Sequence, residues 1–402
     1  MVGTWASEAA RFCPELNVVM VTETERRSGV PITEVAQVAD LVVTSYALMR
    51  LDEEAFRTQK WSGLVLDEAQ FVKNHQAQTY QCARRLLAPF KLAITGTPLE
   101  NSLMDLWSML SITAPGLFPS PQRFSEQYRK PIESGEAPEQ LATLRRRIRP
   151  LMLRRTKEQV APDLPPKIEQ VIPVTLNPKH RRVYDKHFAR ERQRVLGLLD
   201  DLQRNRIAIF RSLTLLRQLS LAASLVDDSH AGTVRSSKID VLLEQLQEVV
   251  DEGHRVLVFS QFTGFLALVK ARLDADGVRY CSLDGRTRNR PRKIAEFTEG
   301  DAPVFLISLK AGGVGLTLTE ADYVFVLDPW WNPATEAQAI DRAHRIGQTR
   351  TVMVYRLVAT DTIEEKVVAL QQRKRDLFDR VVGDSAIEGG ALTVDDIRGL
   401  FT

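Results

Sequence analysis

The chain has 402 residues, 44% of them hydrophobic and 26% charged, and a formal net charge of +3. That is the balance of a soluble globular protein, and a prior of roughly 100 to 200 residues per domain predicts two or three domains. Cys13, Cys82 and Cys281 are odd in number, far apart and never in a C-x-x-C arrangement, and the six histidines are scattered, so neither a disulfide framework nor a zinc site is suggested.

The N-terminus carries Glu8, Arg11 and Glu15, which break any signal-peptide core, and no apolar run approaches a membrane span. A cytoplasmic protein without membrane contact is expected. Short Val/Leu-rich runs from Asn17 to Val21, Asp40 to Thr44, Gly63 to Leu66 and Lys91 to Thr95 read as buried parallel strands, with a helix from about Gln76 to Leu87 before the last. The first part is therefore an α/β sheet, whose ligands would sit at the carboxyl ends of its strands.

Two of those ends carry chemistry. Asp67-Glu68-Ala69-Gln70 follows the third strand and Thr95-Gly96-Thr97-Pro98-Leu99-Glu100-Asn101 the fourth. A carboxylate at a strand end can hold magnesium through its waters, and a second can orient an attacking water. An isolated Asp-Glu pair is commonly a solvated loop; the second, hydroxyl-bearing loop weakens that reading.

From Leu103 to about Leu225 the pattern turns helical and basic. Arg145, Arg146, Arg147 and Arg149 are followed by Arg154, Arg155 and Lys157, then by Arg181, Arg182, Lys186, Arg190, Arg192 and Arg194. Any one run reads as a solvated helix face; their combined density suggests phosphate-backbone contact. Leu164-Pro165-Pro166-Lys167 is read as a hinge or crossing chain, and residues 227–237 as a linker.

A second strand-helix alternation begins near Lys238. Strands are expected from Arg255 to Phe259, Arg279 to Ser282, Val304 to Ile307, Tyr323 to Leu327 and Val352 to Leu357, with a final helix from Thr362 to about Phe378 and a turn from Gly383 to Gly390. Its strand ends include Ser260-Gln261-Phe262, the loop with Arg286, and Ala311-Gly312-Gly313-Val314-Gly315, whose glycines would let backbone amides approach phosphate. A helix is expected from about Pro333 to Ile346, stopped by Gly347. It would put Gln338, Arg342 and Arg345 on one face beside Asp341, a geometry suited to a polyphosphate.

Taken in order, Thr44-Ser45-Tyr46, the D-E-A-Q box, T-G-T-P-L-E-N, L-R-R-T-K-E-Q-V from Leu153, V-F-S-Q-F from Val258, A-G-G-V-G-L, D-P-W-W-N-P from Asp328 and D-R-A-H-R-I-G-Q from Asp341 resemble the Swi/Snf-type branch of the superfamily-two helicase-like ATPases. The resemblance covers nearly the whole chain. It implies two RecA-like lobes with ATP between them and double-stranded DNA across both. Asp67 resembles the magnesium carboxylate, Glu68 the residue that activates water, and Gln70, Thr95 and Thr97 the couplers of nucleotide state to lobe closure. Arg342 and Arg345 resemble arginine fingers, with Gln338 and Gly313 lining the cleft. Tyr46, Lys73, Asn74, Asn101, Ser260 and Arg286 are the candidates for the DNA face; Trp330 and Trp331 are read either as stacking on a ligand or as packing. The implied activity is ATP-dependent DNA translocation of the chromatin-remodelling or polymerase-recycling kind, with RNA polymerase or another DNA-bound complex as partner.

The chain departs from that family at one point: none of its 21 glycines is followed by lysine, so it holds no G-x-x-x-x-G-K-[ST] phosphate cradle. The expectation is an incomplete first lobe over residues 1–115, a helical insertion returning to that lobe over 116–226, a second lobe over 238–360 and a C-terminal helix and tail over 361–402. The cradle would then come from an upstream segment or a neighbouring chain; otherwise the protein is a DNA-binding or scaffolding module without ATPase activity. A shortened first sheet is also expected to expose strand edges and apolar surface.

Overall fold

A computed structural model describes residues 2–96, 102–133, 137–153, 155, 157–312, 316–329, 333–369 and 394–401. They fall into two compact units, which divide between Arg154 and Arg155. The α/β class with parallel sheets, expected from the sequence, is the observed one.

In the first unit β1 (Val18–Met20) pairs in parallel with β2 (Leu41–Val43), and β3 (Gly63–Leu66) with β4 (Phe90–Ala93). β1, β2 and β4 are shorter than the apolar runs that signal them, and β3 coincides with its run. The helix Leu103–Thr113 begins at Ser102, whose hydroxyl accepts the Met104 N–H, and it buries Leu103, Leu106, Trp107 and Leu110. With Tyr80, Phe124 and Leu144 these side chains form the unit's core. One face of β3 and β4 lies open: Val65 is 46% exposed, Phe90 57% and Leu92 41%.

The second unit is built on a six-stranded parallel sheet. It comprises β5 (Lys167–Val174), β6 (Val256–Ser260), β7 (Tyr280–Leu283), β8 (Val304–Ser308), β9 (Tyr323–Val326) and β10 (Val352–Ala359), in the order β5-β10-β9-β6-β8-β7. Every residue of β6 and β8 is buried. Such buried, mainly apolar strands belong to a sheet covered on both faces, and separate apolar clusters lie about Leu257, Phe305 and Val324 and about Val258, Phe265 and Leu306.

β5 is the main departure from the sequence reading. The stretch taken as hinge and insertion enters the second sheet, paired with β10 from Lys167↔Val352 to Val174↔Ala359. Residues 155–226 therefore belong with the second sheet and do not return to the first lobe. The strand was illegible because it is an edge, where charges and a proline are tolerated: Lys167, Glu169 and Pro173 would not suit a central parallel strand.

Helices Pro178–Leu196 and Leu202–Leu221 form a hairpin closed by Tyr184, Val195, Leu213 and Leu216, with Ile363 and Val367 of a helical run over 363–369 and Ile397, Leu400 and Phe401 of the helix Val394–Phe401. The rest of the expected C-terminal helix and the 383–390 turn lie outside the described residues.

Candidate functional site

The first unit places Asp67, Glu68, Gln70 and Thr95 together at the carboxyl ends of β3 and β4. Ile94 N–H bonds to the Leu66 carbonyl at 2.8 Å and Ala69 N–H to the Ile94 carbonyl at 2.9 Å, so the strand ends are stitched together and the stitching continues into the box. The chain turns sharply at Glu68, which sits at φ +49°, a left-handed conformation uncommon outside glycine. Such strain persists only where the surroundings enforce it.

Here they do. Gln70 Nε2 donates to Glu68 Oε2 at 2.7 Å, and the Thr95 hydroxyl donates to Gln70 Oε1 at 2.8 Å. One amide therefore joins the carboxylate of the box to the loop after β4. Thr97 and Asn101 lie outside the described residues.

Asp67 is held from three sides. Its Oδ1 accepts the Glu68 N–H at 2.9 Å, its Oδ2 accepts the Trp5 indole N–H at 2.8 Å, and its carbonyl accepts the Tyr46 hydroxyl at 2.7 Å. Tyr46, expected at a DNA face, is thus a brace of the box; burial and then the Asp67 and Glu68 charges push its phenol pKa up. Trp5 is not among the site residues expected from the sequence, because its partner is 62 residues away. Lys73 is half-buried, with a pKa lowered by burial against the opposing Asp105 charge, while Asn74 is exposed and caps a turn by accepting the Gln76 N–H at 3.0 Å.

In the second unit the expected long arginine helix is short. It runs Pro333–Ile340, and residues 341–347 continue as tight turns. The amides of Arg342 and Ala343 bond only three residues back, and tertiary partners take the carbonyls a helix would use: Arg342 O accepts the Leu318 N–H at 3.0 Å, and Ala343 O accepts Gln348 Nε2 at 3.1 Å. Gln338, Arg342 and Arg345 consequently do not share one helical face. Gln338 is half-buried; Arg342 is 8% exposed and donates to the Leu316 carbonyl at 3.4 Å; Arg345 is exposed. Gln348 staples this loop, reaching the Thr319 and Ala321 carbonyls while accepting the Thr349 and Arg350 N–H groups.

The same loop is clamped from upstream. Lys157 Nζ lies 2.6 Å from Asp341 Oδ1 and 2.7 Å from the His344 carbonyl, and His344 Nε2 is 2.7 Å from the Pro165 carbonyl. Lys157, the last residue of L-R-R-T-K, and the arginine loop are thus neighbours within the second unit. Gly313 lies outside the described residues, as do Trp330 and Trp331.

Two further DNA-face candidates separate. Ser260 is fully buried and its hydroxyl donates to Asp328 at 2.5 Å, so it shapes a strand end and offers nothing outward. Arg286 is exposed on a turn whose Asp284 carboxylate accepts the Arg286 N–H at 2.9 Å. Beneath these loops lies a buried set of charges: Lys238 with Glu364 at 2.6 Å, and Arg217 with Asp328 at 3.7 Å. Among the described residues no group of three or more His, Cys, Asp or Glu is placed to hold a metal by itself, and no helix is long and apolar enough to cross a membrane.

Comparison with known proteins places the chain in a family. The SNF2-related domain matches residues 1–225, and the helicase conserved C-terminal domain matches residues 237–347. An uncharacterized ATP-dependent helicase of Mycoplasma pneumoniae is 34% identical over 400 residues, covering 99% of this chain and 38% of that protein. The ISWI chromatin-remodeling complex ATPase CHR11 of Arabidopsis thaliana is 33% identical over 390 residues, covering 93% of this chain and 36% of that protein. A solved Sulfolobus solfataricus SWI2/SNF2 ATPase core in complex with dsDNA is 30% identical with a TM-score of 0.46, covering 95% of this chain and 80% of that one. The chain spans well under half the length of these two relatives. With the first match running over more than half of its residues, it belongs to the SNF2-related family.

Proposed function

We propose that the chain is the motor region of an ATP-dependent translocase that tracks along double-stranded DNA. The observation that carries this reading is the Glu68–Gln70–Thr95 chain beside Asp67: a carboxylate to orient water, wired through one amide to a second strand-end loop. Hard carboxylate oxygens suit magnesium, and each Asp67 oxygen keeps a lone pair beyond the hydrogen bond it accepts. Asp67 would hold the ion through its water shell, and the bound magnesium nucleotide would supply the phosphoryl group and the neutralising charge. Glu68 takes the proton of the attacking water, and Gln70 holds Glu68 in its turn. Arg345 and Arg342 supply positive charge for the transferring phosphoryl group, a contribution of about 10³ to 10⁵ in rate for fingers of this kind. Lys73, Asn74 and Arg286 contact the DNA backbone, and contacts of that kind carry no sequence information.

One observation favours a second reading. These 402 residues contain no Gly-Lys-Ser/Thr cradle, which suits a DNA-binding or scaffolding module that does not turn over ATP. Hydrolysis measured with and without duplex DNA, on this chain and on one extended upstream, separates the two. DNA-stimulated hydrolysis that disappears in Glu68→Gln supports the motor; DNA binding with no turnover in either chain supports the module.

A further inference from the structure

The basic runs that looked alike in the sequence divide sharply in the structure. Arg147 lies over the Phe118 ring at 4.8 Å and donates to the Tyr128 hydroxyl at 3.1 Å. Arg181 donates to the Thr360 and Asp361 carbonyls, and Arg217 is buried beside Asp328. These cations serve the fold.

Others on the helix Pro178–Leu196 do not. Its inner face is His180, Tyr184, Glu191 and Val195, all buried. Arg182, Lys186, Arg190 and Arg194 are exposed and recur every fourth residue, so they form one row on the outer side, about 18 Å long at 1.5 Å per residue. Among the described residues, Arg182, Lys186 and Arg190 have no acidic group within salt-bridge distance; Arg194 lies 3.7 Å from Glu191. Arg204, Arg206 and Arg211 add exposed cations on the second helix of the hairpin.

Like charges four residues apart destabilise a helix by roughly 0.2 to 0.5 kcal/mol per pair. Three consecutive pairs of this kind, compensated only at Arg194 by Glu191, break a local rule, and such breaks belong to interaction surfaces. The field is felt nearby: burial, then Arg190 and Lys186, lower the His187 pKa. A row of long cationic side chains at this spacing fits a polyanionic strand, and it has no aromatic or apolar centre to suit a protein partner.

We infer that Arg182, Lys186, Arg190 and Arg194 form a backbone-phosphate contact surface for duplex DNA, on the helical hairpin and separate from the strand-end candidates. The choice of DNA as the polyanion rests on the proposed function. The test is binding of the chain to a fluorescent duplex, titrated over a range of salt, for the wild type and for Arg182→Gln/Lys186→Gln/Arg190→Gln/Arg194→Gln. A control carries Arg26→Gln/Arg27→Gln/Lys60→Gln/Arg84→Gln, which removes the same charge from exposed sites of the first unit.

Each phosphate contact contributes about 0.9 to the slope of log K against log salt. The hairpin variant should lose about 3 to 4 from that slope, with an unchanged or raised thermal midpoint and a control that keeps its slope. An unchanged slope in the hairpin variant overturns the inference. Equal losses in both variants overturn it too, because the effect would then be one of net charge. A wild type that does not bind duplex DNA at any salt defeats the motor reading and this surface together, whereas wild-type binding with an unaltered slope in the variant defeats the surface alone.

Discussion

Removal of Lys238 should be among the most damaging single changes in the second unit. Lys238 is fully buried, and its ammonium makes three bonds: 2.6 Å to the Leu327 carbonyl, 2.8 Å to the Leu357 carbonyl and 2.6 Å to Glu364 Oε2. Three donors meet three acceptors. Glu364, equally buried, also accepts the Ala359 N–H at 2.9 Å. Burial pushes the Lys238 pKa down and the Glu364 pKa up, and each charge opposes the shift of the other. Lys238→Met leaves a buried carboxylate and two carbonyls without their cation, which costs about 3 to 5 kcal/mol. For a unit of this size that lowers the thermal midpoint by about 10 °C. Lys238→Met/Glu364→Leu removes both charges and should regain most of the loss, since replacing a buried pair with apolar groups is close to neutral. Calorimetry of the wild type, both single variants and the double variant measures the coupling. A single variant within about 1 kcal/mol of the wild type, or a double variant no more stable than Lys238→Met, would refute the reasoning.

Four other outcomes follow from the geometry. Gln70→Ala breaks the bonds to Glu68 and Thr95 at once and should cut kcat at least about tenfold, the equivalent of 1.4 kcal/mol, while nucleotide affinity stays near the wild type in equilibrium binding. Trp5→Phe keeps the ring but removes a hydrogen bond to a carboxylate worth about 1.5 to 3 kcal/mol; the magnesium concentration for half-maximal hydrolysis should rise, and an unchanged magnesium curve would exclude a positioning role. Lys157→Ala removes a half-exposed salt bridge worth under about 1 kcal/mol and should hardly move the melting temperature. It should nevertheless lower kcat about fivefold by loosening the arginine loop, with recovery in Lys157→Arg, which keeps donors for both the Asp341 carboxylate and the His344 carbonyl.

The fourth outcome concerns acid stability. Burial alone would raise the Glu169 pKa, but the Lys167 and Arg356 partners at 2.7 Å more than offset it and hold it at about 2. A carboxylate depressed in the folded state stabilises above its unfolded pKa of about 4.3, and that stability is lost as pH falls towards the folded value. Glu169→Gln should therefore flatten the fall in stability between those limits in chemical unfolding at stepped pH. A parallel fall in both proteins would refute the assignment.

Much of the chemistry was readable because it is local. Asp67-Glu68-Ala69-Gln70 follows an apolar run that must be a strand, so its place at a strand end comes from period and length alone. The fully buried strands β6 and β8 announce themselves as near-continuous Val, Leu, Ile and Phe, and β9 as Val-Phe-Val after its half-buried Tyr323. The helix before them is similarly legible, from Ser236, whose hydroxyl caps the Ile239 N–H, through Leu242, Leu246 and Val249 on its buried face.

What the linear pattern could not decide lay with partners distant along the chain. The row of Gln338, Arg342 and Arg345 follows from an uninterrupted helix, but Leu318 and Gln348 compete for the carbonyls beyond Ile340 and end it early. β5 carries the charges and proline of a loop, and becomes a strand only because β10 offers it an edge. Tyr46, Ser260 and Arg147 are polar residues that a sequence leaves free for DNA; packing assigns them instead to Asp67, Asp328 and Tyr128. The sequence by itself determined the α/β class, the family and the residue types at the strand ends, because these depend on periodicity and short motifs. Only the tertiary structure decided which arginine is buried, which cations remain exposed and what holds Asp67, because those answers depend on hydrogen-bond acceptors supplied from elsewhere in the chain.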